Sequence, residues 1–387
     1  MLLCLSRSFV SLMAIAVILV ADGRFLDAQE TAGGKPSGRS RAAKAAPPET
    51  SFSRPVPKDA VAPYPRSEVI GGLEWAAPQT IVRLAPGSDN WPLTWADDGD
   101  LYGAYGDGRG FAPFVERKLS IGLARIAGGP ADPQGQNLRA PTVEQSGDGA
   151  HGQKASGILM VDGVLYLWLR NAGNSQLAWS NDHGRSWRRV DWKWTTSFGS
   201  PTFLNYGPNY AGAQDDFVYV YSSDSPSAYQ PGERMVLARV ARTSIREREQ
   251  YEFFVRVGDQ SQPEWTTDLA QRGAVFSHPG RCYRTGITFH PLLRRYLWCQ
   301  VHPESDHPQG PRFHGGFGIY EAPHPWGPWR TVYFTNEWDV GPGDTSSFPA
   351  KWMSDDGRTV HLVFSGDDCF SVRRATLTSV RLPAETN

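Results

Sequence analysis

The feature that most constrains the fold is a hairpin pattern that the sequence repeats five times. In the first copy, residues 89–109 place two short strands around the turn at residues 96–99. The Asp-Gly step of that turn supplies the positive φ angle that hairpin turns need. In each later copy, a run of small and apolar residues leads through a turn into an aromatic-rich strand, and a third strand usually follows. These later copies begin at Ser156, Ser200, Cys282 and Phe348.

Five hairpins, each with a third strand, predict an all-β fold of the five-bladed β-propeller type, because radial repetition of small antiparallel sheets avoids long exposed edges. The composition fits many strands and turns, with 12% aromatic residues, 40 Gly and 30 Pro. The segments that start at Val69 and Thr80 have no blade of their own, so we expect the N-terminal segment to close the ring against the last blade. A β-sandwich or a six-bladed ring is the alternative.

The N-terminal part of the chain predicts export. Residues 9–21 form a continuous apolar run, which is too short to span a bilayer comfortably and is typical of a secretory signal. We expect a signal peptide over residues 1–28, with an uncleaved membrane anchor as the alternative. Residues 29–65 are rich in Ala, Pro, Ser and Lys without apolar periodicity, which predicts a disordered linker before a propeller domain at 66–387. The product would be periplasmic, cell-surface or secreted.

Charge and cysteine content narrow the range of partners. A net charge of −1 gives no reason to expect nucleic acid or an anionic membrane as partner, and we expect a monomer. Cys282 and Cys299 flank the turn at His290 almost symmetrically, so a disulfide and two buried thiols both stay open. No paired Cys or His spacing indicates zinc. We expect no cofactor, although a calcium ion on the propeller axis stays open.

Propeller topology sorts the polar residues into two faces. The starts of first strands and the ends of second strands share one face of a blade, whereas the first turns lie on the other. Aspartates on the turn face are explained by turn chemistry, since Asp side chains bond to the backbone of their own turns. This turn set comprises Asp97, Asp98, Asp162, Asp355 and Asp356.

The opposite face is predicted to collect carboxylates interleaved with basic and amide side chains. Glycoside hydrolysis uses one protonated carboxyl and one ionised carboxylate, and neighbouring charges and desolvation hold their pKa values apart. The alternative is a structural ion-pair network. The polar set comprises Asp89, Asp107, Lys154, Arg170, Asn171, Asn205, Asp224, Arg281, Arg284, Lys351, Asp367 and Asp368. Aromatic residues available for stacking on sugars are Trp91, Tyr206, Tyr210, Tyr229 and Tyr283.

Two stretches carry family resemblances. The segment SNDHGRSW at residues 180–187 resembles the Asp-box of sialidase-like propellers, which is a folding element between outer strands. The segments TWADDGDLYGAYGDG, FGSPTFLNYG and FPAKWMSDDGRTVHLVFSGDDCFSVRRATL resemble a family of exported bacterial propellers, formerly of unknown function, that includes endo-acting D-arabinanases. The resemblance covers residues 69–380.

This family is similar in architecture to five-bladed furanosidases, which use acidic residues in a central funnel. The resemblance implies an early catalytic Asp on the first blade, for which Asp89 and Asp107 are the matching positions. The sequence departs from the furanosidase pattern on the second blade, where Lys154 and Arg170 stand in place of an expected acid.

The resulting hypothesis is a secreted glycoside hydrolase of furanose-containing, arabinan-like polysaccharides. Asp89 and Asp107 would act as base and supporting carboxylate, and Asp224 or Asp368 as the acid. One alternative is a non-catalytic carbohydrate-binding or cell-surface propeller, which holds a polysaccharide or oligosaccharide without cleaving it. Another is a sialidase-like exo-glycosidase with a carboxylate clamp made by Arg170, Arg284 and Arg373.

Overall fold

The computed structural model describes residues 60–171, 173–303 and 313–381. The predicted signal peptide and most of the predicted linker lie outside these residues. In the described ranges every regular element is a β-strand or a short 3₁₀ turn, and none is an α-helix. The prediction of an all-β protein is therefore confirmed.

The strands occur along the chain in five groups, preceded by two N-terminal strands, β1 (Ile70–Trp75) and β2 (Val82–Leu84). The first group contains β3 (Leu93–Trp95), β4 (Leu101–Tyr105), β5 (Gly122–Gly129) and β6 (Asp132–Leu138). The second contains β7 (Lys154–Val161), β8 (Val164–Arg170), β9 (Ser175–Ser180) and β10 (Arg188–Arg189). The third contains β11 (Thr202–Asn205), β12 (Phe217–Ser223), β13 (Gly232–Ala241), β14 (Glu252–Val257), β15 (Pro263–Thr266) and β16 (Phe276–Cys282).

The fourth group contains β17 (Thr285–His290), β18 (Arg295–Pro303), β19 (Gly315–Ala322) and β20 (Arg330–Thr335). The fifth contains β21 (Ser346–Ser347), β22 (Thr359–Phe364) and β23 (Phe370–Val380). Neighbouring strands in each group pair antiparallel, except that β16 returns to pair with β13. Both β1 and β2 pair antiparallel with β23, so the outer edge of the fifth group comes from the N-terminal part of the chain.

Turn chemistry explains the hairpins. Between β7 and β8, Asp162 and Gly163 have φ angles of 50° and 77°, the pair of positive values that a two-residue type I′ turn requires. In the turn between β3 and β4, Gly99 has a φ of 86°, and Asp98 accepts a hydrogen bond from the Asp100 amide. Asp98 thus serves its own turn, whereas the Asp97 and Asp162 side chains pair with His183 and Arg242 of other strand groups.

The first strands of all five groups meet around one cavity. Its lining includes Leu93 of β3, Ile158 of β7, Thr202 of β11, Ile287 of β17 and Ser346 of β21. The cavity is narrow, with a volume of about 20 Å³. β7 shows how completely these inner strands are buried, since all eight of its residues are shielded from solvent. Residues that precede the first strands therefore gather at one end of a shared axis, and residues that follow them gather at the other.

The Ser180–Trp187 segment forms a closed turn between β9 and β10. The Asp182 carboxylate accepts bonds from the Ser186 amide at 2.9 Å and the Ser186 hydroxyl at 2.6 Å. Although burial alone would raise it, these bonds and the one from the Ser180 hydroxyl bring the pKa of Asp182 down to about 2. The Trp187 indole donates back to the Gly184 carbonyl. Every polar group named here serves the turn itself.

The cysteines and residues 60–65 bear on two further expectations from the sequence. Cys282 and Cys299 are buried free thiols, as is Cys369, so the disulfide alternative is not formed in this structure. Residues 60–65, at the end of the predicted linker, make defined contacts with β16 of the third group and β20 of the fourth. The Tyr64 hydroxyl accepts from the Ser277 amide, and the Tyr64 carbonyl accepts from the Thr331 hydroxyl. The described part of the chain thus includes contacts made by residues before residue 66.

Candidate functional site

A buried ion pair joins the first two strand groups at one end of the axis. Asp107 follows the end of β4, and Lys154 begins β7. The Lys154 ammonium pairs with Asp107 Oδ1, while the Gly149 amide donates to Asp107 Oδ2 at 2.8 Å. Lys154 is 2% exposed and Asp107 is 7% exposed. Both carboxylate oxygens therefore have a donor, as a buried charge requires.

Asp89 lies directly beside this pair. Its amide donates to the Gly106 carbonyl at 2.9 Å, and the Gly106 amide donates to the Asp89 carbonyl at 2.7 Å. This bridge places Asp89 opposite the residue that precedes Asp107. A Cβ atom on Gly106 would lie 2.5 Å from Asp89 Oδ1 and 3.2 Å from Lys154 Cδ. Only glycine lets the carboxylate and the lysine stem approach the backbone this closely.

Asn90 links Asp89 to Arg170. The Asn90 amide nitrogen donates to Asp89 Oδ1 at 2.7 Å, and its amide oxygen accepts from Arg170 Nη2 at 2.9 Å. Arg170 ends β8 directly opposite Lys154 in the strand register and is 1% exposed. Its Nε and Nη1 atoms have no hydrogen-bond partner within the described part of the chain. Two buried cations on facing positions are costly, which sets this site apart from ordinary sheet packing.

Tyr229 covers the basic side chains. The guanidinium carbons of Arg170 and Arg284 lie 5.2 Å and 5.3 Å from its ring centroid. The Tyr229 hydroxyl accepts from Asn171 Nδ2 at 2.9 Å and donates to the Gly149 carbonyl at 3.2 Å. Burial alone would raise the pKa of Tyr229, but the two guanidinium groups bring it below its ordinary value. Tyr229 thus connects the third strand group to the site.

A second buried ion pair, Arg284 with Asp344, completes the cluster. Arg284 Nη1 lies 2.5 Å from Asp344 Oδ1, and Arg284 Nε donates to the Ala228 carbonyl. Burial opposes the charge, yet Asp344 and then Tyr283 raise the pKa of the Arg284 guanidinium. Burial also raises the pKa of Tyr283 to about 12, so its phenol stays protonated at neutral pH. Asp344 was absent from the candidate set, although it precedes β21 as Asp89 precedes β3.

Asp224 and Asp368 differ in their surroundings. Asp224 accepts from the Ser197 hydroxyl and from Arg272 Nε at 2.7 Å, and from Arg234 Nε at 2.8 Å. Burial opposes the shift, but these donors lower the pKa of Asp224, which disfavours a role as proton donor. Asp368 is half-buried, and its carbonyl accepts from the Ser88 amide at 2.9 Å, next to Asp89 in the chain.

Three predicted binding residues lie at the other end of the axis. Asn205 ends β11, a first strand, and Tyr206 follows it, so both lie with the hairpin turns. Tyr206 is buried, and its hydroxyl lies 3.3 Å from that of Tyr296. Lys351 follows β21, and its ammonium lies 3.3 Å from Asp100 in the turn between β3 and β4. The structure therefore does not bring these residues to Asp89.

Several further candidates are engaged in the core or in other contacts. Trp91 packs against Tyr105, Phe111 and Phe370, and its indole donates to the Ser88 carbonyl, so no ring face is available to a ligand. Tyr210 is likewise buried. Arg373 pairs with both carboxylate oxygens of Asp339 at 2.5 Å and 2.7 Å and lies over the rings of two outer tryptophans. The three-arginine clamp is therefore not assembled.

The described ranges contain no group of three or more His, Cys, Asp or Glu side chains placed to hold a metal ion. In those same ranges, no helix has the length and apolar character needed to cross a membrane.

No protein-family model matches the sequence, and no curated protein matches it either. Solved structures are similar to this chain only at low identity and at TM-scores below 0.5. The RS223 β-xylosidase is 10% identical with a TM-score of 0.46, over 79% of this chain and 98% of that chain. A GH43_1 enzyme from Xanthomonas citri is 12% identical with a TM-score of 0.43, over 79% and 94% of the two chains.

An aldose sugar dehydrogenase from Streptomyces coelicolor, solved with bound PQQ, is as similar. It is 11% identical with a TM-score of 0.43, over 80% of this chain and 99% of that chain. Enzymes of different chemistry thus match equally well, and at this level the likeness assigns no function. The function has to be argued from the site.

Proposed function

We propose that the protein is an exported glycoside hydrolase that cleaves furanose-containing, arabinan-like polysaccharides. In this proposal the five strand groups are the blades of a five-bladed β-propeller, and β1 and β2 close the ring by pairing with β23. The single observation that carries the proposal is the placement of Asp89 next to Asp107 at the end of the axis, through the Asp89–Gly106 bridge. Two adjacent buried carboxylates suit glycosidic chemistry.

The roles follow from the partners of each carboxylate. Asp107 is paired with Lys154 and serves as the supporting carboxylate, while Asp89, oriented by Asn90, acts as the base. Asp368 donates the proton to the leaving glycosidic oxygen. Its backbone carbonyl accepts from the amide of Ser88, the residue before Asp89. Water loses a proton to Asp89 as its oxygen bonds to the anomeric carbon and the glycosidic bond breaks. Asp224 does not serve as the acid in this proposal, because its two arginine partners keep its carboxylate ionised.

A polysaccharide screen tests this proposal. The purified domain from residue 60 onward is incubated with arabinan, xylan and other plant and bacterial glycans, and released reducing ends are measured. Asp89→Asn and Asp107→Asn should abolish release on whichever glycan is cleaved. Asp355→Asn is the matched control, because Asp355 is an exposed aspartate in a turn at the opposite end of the strands. Circular dichroism spectra establish that each variant is folded.

The second candidate is a carbohydrate-binding propeller without catalysis. The favouring observation is that Asp107 and Asp344 are each held by a buried cation, Lys154 and Arg284 respectively, as in a structural or binding network. In that case glycans would bind without release of oligosaccharides, and Asp89→Asn would leave their affinity unchanged. Calorimetric titration of the same glycans separates the two candidates.

A further inference from the structure

A surface hollow lies beside the Asp107–Lys154 pair, on the same end of the strands. Its volume is about 200 Å³, and its lining includes Glu116, Arg117, Arg139, Glu144 and Gln145. This volume is below the range of sites for whole drug-sized molecules, so the hollow has room for a single small group of a ligand. The hollow is formed by the segment between β4 and β5 and by the segment between β6 and β7, and the roles proposed above do not use it.

Backbone contacts connect this hollow directly to the candidate active site. Gly108, the residue after Asp107, pairs with Leu119 of the hollow through two hydrogen bonds of 3.1 Å and 2.8 Å. Gln145 Nε2 donates to Gln153 Oε1 at 2.9 Å, and Gln153 precedes Lys154. The residues that contact the walls of the hollow, Gly108 and Gln153, are thus the chain neighbours of Asp107 and Lys154.

The walls are also held in place from both sides. The Ser120 amide donates to the Gln145 carbonyl at 2.7 Å, which ties the two wall segments together. An exposed ion pair between Lys118 and Asp148, at 2.7 Å, spans them a second time. Glu144 accepts from the Ala140 amide at 2.7 Å. A ligand would therefore enter a largely preformed site, which lowers the entropic cost of binding.

The polar lining suits a neutral sugar. Two carboxylates and two guanidinium groups give the four ionisable lining side chains a net charge of zero, which gives no preference for an anion. Arg139 bonds to both carboxylate oxygens of Glu144, so the exposed Glu116 and Arg117 are the lining groups that accept from and donate to hydroxyl groups.

We infer that this hollow, here called the outer subsite, binds one neutral glycosyl residue of a chain whose neighbouring linkage lies at Asp89 and Asp107. This inference rests on the proposed function. It assigns the protein a preference for extended chains over short oligosaccharides. Arg117, which is exposed at the rim of the hollow, supplies the donors to that outer sugar.

The test is a chain-length series. The kcat/KM for arabino-oligosaccharides from the disaccharide to the octasaccharide is measured for the wild type and for Arg117→Ala. Arg185→Ala is the matched control, because Arg185 is equally exposed but lies in the turn between β9 and β10 at the other end of the strands. We expect Arg117→Ala to lower kcat/KM about tenfold for the long chains alone, the loss expected for a hydrogen bond from a charged donor.

A parallel binding measurement keeps the inference separate from the proposed function. The octasaccharide is titrated into Asp107→Asn and into the double variant Asp107→Asn/Arg117→Ala by calorimetry. Weaker binding of the octasaccharide, with unchanged binding of the disaccharide, supports the outer subsite even if no chain is cleaved. Equal effects at every length, no effect at any length, or no octasaccharide binding at all would overturn it.

Discussion

Lys154 and Asp107 form an ion pair inside the protein, and each is surrounded by further charged or polar partners. Lys154 faces Arg170 across β7 and β8, and Asp107 also accepts from the Gly149 amide. A buried pair of this kind contributes little net stability, but loss of one partner leaves the other charge buried without a counter-ion. The pair therefore fixes the geometry of the site more than it stabilises the fold.

Replacement of Lys154 by methionine should destabilise the protein, because it leaves the Asp107 carboxylate without its cation. The uncompensated Asp107 carboxylate should lower the free energy of unfolding by about 3–5 kcal/mol. The double variant Lys154→Met/Asp107→Asn removes both charges and should recover part of that loss. Urea unfolding of the wild type, both single variants and the double variant measures the coupling. Additive losses in the double variant would show that the pair is not coupled.

Replacement of Gly106 by alanine should impair activity far more than stability. The added Cβ would lie 2.5 Å from Asp89 Oδ1, so the carboxylate has to shift. A displacement of this size should lower kcat by about 100-fold. Gly129→Ala is the control, since a Cβ there meets no atom within 4 Å. Equal activities of the two variants would argue that the position of Asp89 does not matter.

The Asp182 turn should contribute to stability and not to the chemistry. Asp182→Ala removes the bonds from Ser186 and Ser180, and we expect a loss of about 1–3 kcal/mol in the free energy of unfolding. The kcat on the cleaved glycan should stay at the wild-type value below the melting temperature. A selective loss of kcat in a fully folded variant would contradict this assignment.

Acid should destabilise the protein through His278. This buried ring lies 5.1 Å from the ring of His302, and burial, with a smaller effect of Arg281, lowers the pKa of His278 to about 4. The unfolded state, with an ordinary histidine pKa, binds the proton first, so stability present at neutral pH is lost as the pH falls from about 6.5 toward 4. The loss for this ring should reach about 3 kcal/mol.

Unfolding free energies at about pH 7.5, 5.5 and 4.5 bracket this histidine transition. His278→Gln should flatten the dependence over that range, although His302, whose pKa burial also lowers, keeps part of it. An unchanged slope in the variant would show that His278 does not titrate with unfolding.

The sequence predicts the local structure of this protein well because hairpins are local. The turns at Asp98-Gly99 and Asp162-Gly163 can be read from their own residues, and each strand then follows from aromatic and β-branched runs. The topology rule puts the starts of first strands and the ends of second strands on one face, and the structure has Asp89, Asp107, Lys154, Arg170 and Arg284 at such positions.

The same rule fails where strand bounds are ambiguous. The sequence predicts Lys351 on the face of Asp89, but the inner strand is the two-residue β21 that precedes Lys351, so Lys351 lies at the far end. Trp91 looked available for stacking, yet three aromatic rings from distant segments enclose it. The Arg284–Asp344 pair joins residues 60 positions apart, and no local pattern encodes such a contact.

The most direct test of the central claim is the rate of glycan cleavage by Asp89→Asn and Asp107→Asn, measured with folded protein on the glycan that the wild type cleaves. We predict that each variant loses roughly 10²- to 10⁴-fold in kcat, while Asp355→Asn stays at the wild-type rate. Wild-type protein that binds glycans and releases none, or aspartate variants as active as the wild type, would contradict the account.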